Sequence, residues 1–288
     1  MKQKILVTGG AGFIGSALCK VLNEKGFDVT SLDNYHFGNL KNHHPGVNYI
    51  KGNTIDLDNY FDSNVDFKYI YHLGEYARVE QSFCDYDLAL KYNYESFPKV
   101  VSFAKKIGAK LIYSGSSTKF TVESDGRNMS PYAYFKAQNT EFLINYSKWF
   151  GLDYSIVYFY NAYGDHEVDT GVYATVVAKF IRLVNSGEKK LPVNSPGTQL
   201  RNFTHIDDII SGLLIAGFKG KGDDYGIGSE EKYSILDLVS FLGAEPIFME
   251  SKQGNRMDGF LNTEKTKALG WKPKHSLKDY IETKINKS

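Results

Sequence analysis

Cysteine is almost absent from this chain of 288 residues, which contains only Cys19 and Cys84. Two cysteines without metal-ligand spacing provide neither a disulfide framework nor a zinc site, so we expect a reducing compartment, two buried thiols and no resident metal. A charge excess is missing as well, because 34 Lys and Arg residues face 33 Asp and Glu residues. A net charge of +1 provides no field that would attract a nucleic acid.

Long hydrophobic runs are also missing. No apolar run approaches the roughly 20 residues that a membrane-spanning helix needs. The chain starts with polar residues that lead straight into a strand-like segment, without an apolar signal peptide. We therefore expect a cytoplasmic protein with no membrane partner. Hydrophobic residues make up 42% of the sequence, which is ordinary for a folded globular protein.

Short apolar runs alternate with longer amphipathic stretches in the first half of the chain, a pattern typical of a parallel sheet with crossover helices. Predicted strands cover residues 5–7, 29–32, 49–51, 69–73, 111–114 and 155–159. Predicted helices cover residues 12–25, 87–107 and 130–150, and Gly26, Gly108 and Gly151 follow them as candidate caps. The predicted fold class is α/β, with a Rossmann-type doubly wound parallel sheet.

The alternation of predicted strands and helices becomes irregular after Asn161. Further helices are predicted near residues 174–186 and 206–218, with a stretch rich in Pro and Gly between them. We interpret this part as a smaller, interleaved C-terminal lobe. The predicted division assigns residues 1–160 and a return segment of about 203–228 to the sheet domain, and residues 161–202 and 229–288 to the lobe.

A glycine-rich loop connects the first predicted strand to the first helix. Gly9 permits the tight turn, Gly12 lets the backbone approach a pyrophosphate, and Gly15 lets the helix pack on the strand. With the neighbouring Phe13 and Ile14, these residues form a predicted dinucleotide site. The first domain is therefore expected to bind NAD.

A carboxylate at the end of the second strand supports this choice of cofactor. Asp33 follows Gly15 at the distance where an acid accepts hydrogen bonds from the adenosine ribose. It would repel a 2′-phosphate, and no Arg follows nearby, so NAD is favoured over NADP. Asn34, Asp56 and Leu73 complete the expected cofactor contacts, with an ordinary structural role for Asp56 equally open.

A tyrosine and a lysine four residues apart form the candidate catalytic pair. Tyr132 and Lys136 would share one helix face, and an ammonium beside the phenol stabilises the phenolate that could act as a general base. With 21 Tyr in the chain, roughly two such pairs are expected by chance. Ser116 strengthens the prediction, because it ends a predicted strand at the sheet edge where ligands bind.

The order of these motifs resembles the NAD-dependent nucleotide-sugar epimerase/dehydratase family, a group of extended short-chain dehydrogenases/reductases. The motifs are the glycine loop, Asp33, the serine-rich strand end 114–117, Tyr132 with Lys136, residues 161–164, residues 201–208 and residues 269–273. The resemblance implies a substrate that is a nucleoside-diphosphate sugar. It also implies that the two helices 87–107 and 130–150 form a homodimer interface.

The resemblance assigns roles residue by residue. Ser116, Tyr132 and Lys136 match the family's catalytic residues. Ser117, Asn161, Arg201 and Arg256 match positions that contact the sugar nucleotide, and a guanidinium suits its diphosphate. Asp207 and Asp208 match residues that begin a helix, so we expect a structural role for this acidic pair. The C-terminal lobe is then the substrate-binding lobe.

The family's reactions share a first oxidation of the sugar, usually at C4, and diverge afterwards. Dehydratases use an Asp-Glu pair directly after the catalytic Ser or Thr, whereas this chain has Ser117 and Thr118 there. A 4-epimerase is therefore our first expectation, with a C4 dehydrogenase or 4-keto-sugar reductase as the alternative. A non-enzymatic NAD or nucleotide sensor is disfavoured by the intact catalytic residues. Glu75, Phe120 and Tyr158 depart from the family's usual pattern.

Overall fold

Strands and helices alternate along the chain in this computed structural model, which describes residues 2–120, 126–250 and 260–285. The strands in these ranges are β1 (Lys4–Thr8), β2 (Asp28–Asp33), β3 (Asn48–Lys51), β4 (Phe67–His72), β5 (Lys110–Ser116), β6 (Tyr154–Phe159), β7 (Ala162–Tyr163), β8 (Lys190–Asn194), β9 (Leu200–Asn202), β10 (Thr204–His205), β11 (Gly222–Ile227), β12 (Lys232–Ser234) and β13 (Glu245–Met249). The α-helices are α1 (Phe13–Glu24), α2 (Leu57–Tyr60), α3 (Tyr86–Ala89), α4 (Phe97–Ile107), α5 (Pro131–Phe150), α6 (Val176–Asn185), α7 (Ile206–Lys219), α8 (Ile235–Phe241), α9 (Glu264–Ala268) and α10 (Leu277–Lys284).

Seven of these strands form one parallel sheet in the order β11-β6-β5-β4-β1-β2-β3. From β1 the chain builds outwards through β2 and β3, and it then crosses back to β4 on the other side of β1. Ligands bind at such a switch point, outside the carboxyl ends of the strands. The predicted Rossmann-type fold is confirmed. The edge strand β11 was not predicted, because Gly222, Asp223 and Asp224 are poor strand formers.

Both faces of the sheet are covered by hydrophobic core. Neighbouring residues of one strand enter opposite clusters: Leu6 packs on one side, and Val7 packs on the other with α1 and α7. Ile70 and Tyr71 alternate in the same way on β4. This burial on two faces explains why the central strand β1 is a nearly continuous apolar run, as is typical of parallel sheets.

The predicted helix over residues 87–107 is interrupted. The structure has α3, then a π-helical segment Leu90–Glu95, and then α4. Pro98 lies in the first turn of α4 and has no N–H to donate to the preceding turn, so a continuous α-helix cannot pass through it. The long helix α5 is uninterrupted, with Ser130 as its cap and Gly151 in the left-handed conformation at its end.

Among the described residues, three small strand pairs lie outside the central sheet: β7 with β10, β9 with β12, and β8 with β13. A separate hydrophobic cluster, which includes Phe180, Leu191 and Leu238, lies among these elements. Asp207 and Asp208 occupy the first turn of α7, as expected. The Asp208 carboxylate also accepts hydrogen bonds from the backbone N–H groups of Lys274 and His275. The boundaries of the substrate-binding lobe stay a prediction.

The two cysteines differ in environment. Cys19 is buried, and burial raises the pKa of its thiol. The prediction that both thiols are buried is wrong for Cys84, which is exposed just after a short 3-10 helix. None of the described helices combines the length and the apolar character that crossing a bilayer requires.

Candidate active site

A cleft of about 570 Å³ lies at the carboxyl ends of the central strands. It brings together most of the site residues predicted from the sequence: Gly9, Gly12, Phe13, Ile14, Gly15, Asp33, Asn34, Leu73, Ser116, Ser117, Tyr132, Lys136, Asn161 and Arg201. Asp56 is not among the lining residues, whereas Asn53 and Thr54, three and two positions before it, are. Arg256 lies outside the described residues.

The glycine loop has the geometry that a dinucleotide needs. Gly9 is in the left-handed conformation (φ +73°), and a Cβ there would lie 2.8 Å from the backbone of Gly74. Gly15 has no room for a Cβ either, because the atom would collide with the carbonyl of Gly9. Gly12 caps α1 without a side-chain hydrogen bond, so the first N–H groups of the helix are left for a phosphate. These residues fit the diphosphate of NAD.

Asp33 ties this loop to the end of β2. One carboxylate oxygen accepts a hydrogen bond from the N–H of Ala11 at 2.9 Å, and the other accepts one from Tyr35 at 2.8 Å. Burial raises the pKa of Asp33, and these two hydrogen bonds oppose the rise. Each oxygen still has a lone pair for a ribose hydroxyl. Asn34 alongside is held by Asn53, whose side-chain oxygen accepts its amide at 3.0 Å.

The catalytic candidates come from β5 and α5. The Ser130 hydroxyl accepts a hydrogen bond from the N–H of Ala133 at 3.1 Å and fixes the start of α5, so that Tyr132 and Lys136 line the cleft one turn apart. Ser116 is buried at the end of β5, where its oxygen accepts the hydroxyl of Thr118 at 2.9 Å. The proton of Ser116 is thereby left for an acceptor in the cleft.

Glu75 is a site residue whose role sequence reasoning missed. Its carboxylate forms an ion pair with Lys136, and only 2% of the Glu75 side chain and 4% of the Lys136 side chain are exposed. Lys136 also donates to the carbonyl of Ser114 at 2.6 Å. The sequence marked Glu75 as unusual, because it replaces a small residue of the family pattern. Its role could not be predicted, because its partner Lys136 lies 61 positions further along the chain.

Several groups hold Glu75 in place. Its second oxygen accepts hydrogen bonds from the Asn139 amide at 3.1 Å and from the Tyr113 hydroxyl at 3.4 Å. Burial raises the pKa of Glu75, while Lys136 and these hydrogen bonds act in the opposite direction. His72 lies 3.9 Å away, and burial lowers its pKa to about 3, so it is neutral at physiological pH. Lys136 is therefore the cation of this cluster.

Three further charged residues line the cleft without having been predicted: Arg78, Glu80 and Glu167. Arg78 donates from Nε to the carbonyl of Tyr173 and from Nη1 to the carbonyl of Ala77, both at 3.1 Å. Glu167 accepts the N–H of Gly164 at 2.9 Å, and burial raises its pKa to about 7. Neither Arg78 nor Glu167 belongs to a motif, so only the fold brings them to the cleft.

Other residues noted in the sequence lie elsewhere. Tyr158 is buried behind β5, where its hydroxyl donates to Asp223 at 2.7 Å, and it does not line the cleft. The side chain of Phe120 lies outside the described part of the structure. His205, Asp207 and His275 bring metal-capable atoms within 4.8 Å of one another, away from the cleft. The expectation that the protein has no resident metal stays a prediction.

The family model of the NAD-dependent epimerase/dehydratase family matches residues 5–228. The chain belongs to this family. The predicted family is confirmed, and with it the predicted cofactor, NAD. This family member has the glycine loop and the Tyr132 and Lys136 pair in one cleft.

Named relatives of this family member carry out more than one reaction. A protein of Methanocaldococcus jannaschii to which UDP-glucose 4-epimerase activity is provisionally assigned is 30% identical, over 98% of this chain and 97% of its own length. A UDP-glucuronic acid decarboxylase of Arabidopsis thaliana is 28% identical, over 96% of this chain and 86% of its own length. Membership of the family therefore does not determine which reaction this chain catalyses.

Solved structures agree with the fold. The UDP-glucose 4-epimerase of Thermotoga maritima, crystallised with UDP-glucose, superimposes with a TM-score of 0.91 at 26% identity, and the match covers 98% of this chain and 97% of the other.

Proposed function

We propose that this protein is an NAD-dependent nucleoside-diphosphate-sugar 4-epimerase. The observation that carries the proposal is that Ser116, Tyr132 and Lys136 line the same cleft as the glycine loop and Asp33. In the proposed function, a general base, an alcohol-binding hydroxyl and a dinucleotide site would lie around one space. The glycine loop and Asp33 would hold NAD, which would supply reversible hydride transfer at C4 of the sugar.

The residues of the chain would handle the proton. In the proposed reaction Tyr132 removes the proton of the C4 hydroxyl, and Lys136 stabilises the resulting phenolate charge. Ser116 would donate a hydrogen bond to the same sugar oxygen and hold it in position. Asn161 and Arg201, which also line the cleft, would bind the diphosphate of the sugar nucleotide.

Elimination of water is less well supported by this site. Ser117 and Thr118 follow Ser116 and have no carboxyl group to act as a general acid or base. Glu75 does have one, but it is paired with Lys136 and accepts hydrogen bonds from Asn139 and Tyr113. A C4 dehydrogenase or a 4-keto-sugar reductase uses the same catalytic residues and is the alternative.

We also propose that the protein is a cytoplasmic homodimer. Large aromatic side chains are exposed on the helices that the family resemblance assigns to a dimer interface: Tyr86, Tyr94, Tyr134, Trp149 and Phe150. Exposed apolar patches of this kind are typical of protein interfaces. Two copies of this surface would bury each other in a four-helix arrangement.

Incubation with UDP-, GDP-, CDP- and dTDP-sugars, followed by NMR of the sugar products, tests the function. Inversion at C4 without net formation or consumption of NADH supports the epimerase. Net NADH turnover supports the alternative, and a 4-keto-6-deoxy product contradicts the argument from Ser117 and Thr118. Tyr132→Phe should lower kcat by about 100-fold or more with NAD affinity unchanged. Tyr134→Phe, on the same helix, is the matched control and should keep activity.

A further inference from the structure

The guanidinium of Arg78 is only partly used by the protein. Two of its nitrogens donate to the carbonyls of Tyr173 and Ala77, and these bonds hold the group in place. A guanidinium has five N–H donors in a planar fork. The Nη2 amino group makes no hydrogen bond to any residue in the described ranges. Donors of Arg78 are thus left for a ligand in the cleft that this residue lines.

The charge of Arg78 also has no close counterion. Among the described residues, no carboxylate lies within 4.0 Å of its guanidinium. Burial lowers the pKa of Arg78, which shows that removal of this cation from water is costly. Glu167 interacts with it electrostatically, but a carboxyl group with a pKa of about 7 is ionised only in part at neutral pH. An anionic ligand would supply the missing charge.

The position of Arg78 indicates which anion. The Ser82 hydroxyl accepts the N–H of Tyr132 at 3.3 Å and donates to the carbonyl of Val79 at 2.6 Å, so the segment that carries Arg78 is tied to the start of α5. Arg78 and Tyr132 line the same cleft, where the sugar would react. The dinucleotide phosphates have the N-terminus of α1, and in the proposed function the phosphates of the sugar nucleotide have Arg201. A third anion near the phenol would belong to the sugar itself.

We propose that Arg78 binds a carboxylate carried by the sugar ring, and that the substrates of this enzyme are nucleoside-diphosphate sugar acids. This inference rests on the proposed function only in taking the cleft as a nucleotide-sugar site. A planar guanidinium matches a carboxylate through two parallel N–H donors, a contact that a neutral hydroxymethyl group cannot make. Arg78 would therefore select the acid over the neutral sugar.

Binding measurements separate this inference from catalysis. The protein is the NAD-loaded Tyr132→Phe variant, and the ligands are matched pairs that differ only at C6: UDP-glucose with UDP-glucuronate, and the corresponding GDP and dTDP pairs. For at least one pair we expect the acid to bind roughly 10-fold to 100-fold more tightly. Arg78→Met should abolish that preference and leave the affinity for the neutral sugar within about threefold.

Arg182→Met is the matched control, because Arg182 also donates from Nε to a backbone carbonyl, that of Asp169 at 3.1 Å, but does not line the cleft. This variant should keep the preference. Arg78→Gln removes the charge and keeps donors for the two carbonyls, so it replaces Arg78→Met if the latter does not fold. Thermal unfolding and NAD titration establish that each variant is folded and loaded.

Three results would overturn the inference. Equal loss of affinity for the acid and the neutral sugar would assign Arg78 to the diphosphate, and a loss of NAD affinity would assign it to the cofactor. If the protein does not bind the acid more tightly than the neutral sugar in any of the three pairs, Arg78 does not recognise a sugar carboxylate. Turnover of the same sugars by the unmodified enzyme tests the proposed reaction separately, so a failure of catalysis leaves the binding result valid.

Discussion

Glu75 and Lys136 form a buried ion pair inside the cleft, and Lys136 lies one helical turn beyond Tyr132. The ammonium that would stabilise the Tyr132 phenolate is therefore shared with a carboxylate. A negative charge this close weakens the electrostatic support that a lysine can give to a developing phenolate. The base of this enzyme is expected to need a higher pH than it would without Glu75.

Replacement of Glu75 should reveal this effect. In Glu75→Gln, which keeps an oxygen for the Asn139 amide, the acid limb of the kcat/KM profile should move to lower pH by about one unit. The measurement is the pH dependence of turnover between pH 5 and 9 with NAD saturating. Glu141→Gln, which removes an exposed ion pair between α5 and Arg127, should leave the profile unchanged. An acid limb that stays in place or moves upwards would show that Glu75 has no electrostatic influence on the base.

Asp33 is expected to decide between the two dinucleotides. Asp33→Asn removes the charge that repels a 2′-phosphate, so NADP should bind measurably, and NAD should bind about 10-fold more weakly because the ribose loses a charged acceptor. Calorimetric titration of both cofactors measures this. Asp28→Asn, at the exposed start of the same strand, should bind both cofactors like the unmodified protein. Continued exclusion of NADP by Asp33→Asn would mean that shape, not charge, sets the preference.

Glu167 should make the protein less stable as the pH rises. Its pKa is raised from 4.5 to about 7 on folding, so the folded state holds the proton more tightly than the unfolded chain. The free energy of unfolding is thus highest below pH 4.5 as far as this group is concerned, and it falls as the pH rises through 7, by about 3 kcal/mol at most.

Glu167→Gln mimics the protonated form and should flatten this dependence. Urea unfolding at pH 5 and pH 8 compares the two proteins, and the loss between these values should be smaller in the variant. Glu188→Gln alters an exposed carboxyl group and should show the loss of the unmodified protein. Identical losses in all three proteins would mean that Glu167 titrates normally.

The proposed dimer depends on the exposed aromatic surface of α5. Trp149 has 65% of its surface exposed, and Trp149→Glu should convert the dimer to a monomer in sedimentation velocity because a carboxylate would be buried without a partner. Leu40→Glu changes a side chain that is 69% exposed away from these helices and should leave the dimer intact. A monomer in the unmodified protein at micromolar concentration would contradict the proposed interface.

The sequence predicted those site residues that follow from local rules. The carboxyl ends of parallel strands meet at one edge, so the glycine loop, Asp33 and Ser116 had to converge there, and Tyr132 follows from helical spacing. Glu75 and Arg78 could not be given roles, because their contacts depend on how the loop after β4 packs against α5 and against residues near Tyr173. Asp56 ends a short 3-10 helix, Thr54–Asp56, and does not line the cleft, so its contact with the cofactor stays a prediction.

The return of the chain to the sheet at β11 has a consequence for folding. Strand β11 pairs with β6, and the first segment of the predicted smaller lobe, residues 161–202, lies between them together with α7, so the sheet gains its last strand only after these residues have been synthesised. A pairing of such high sequence separation is slow to form, and the edge of β6 stays open until it does. During translation, the unpaired backbone of β6 is then the part of the nascent chain most exposed to aggregation and in need of chaperone protection.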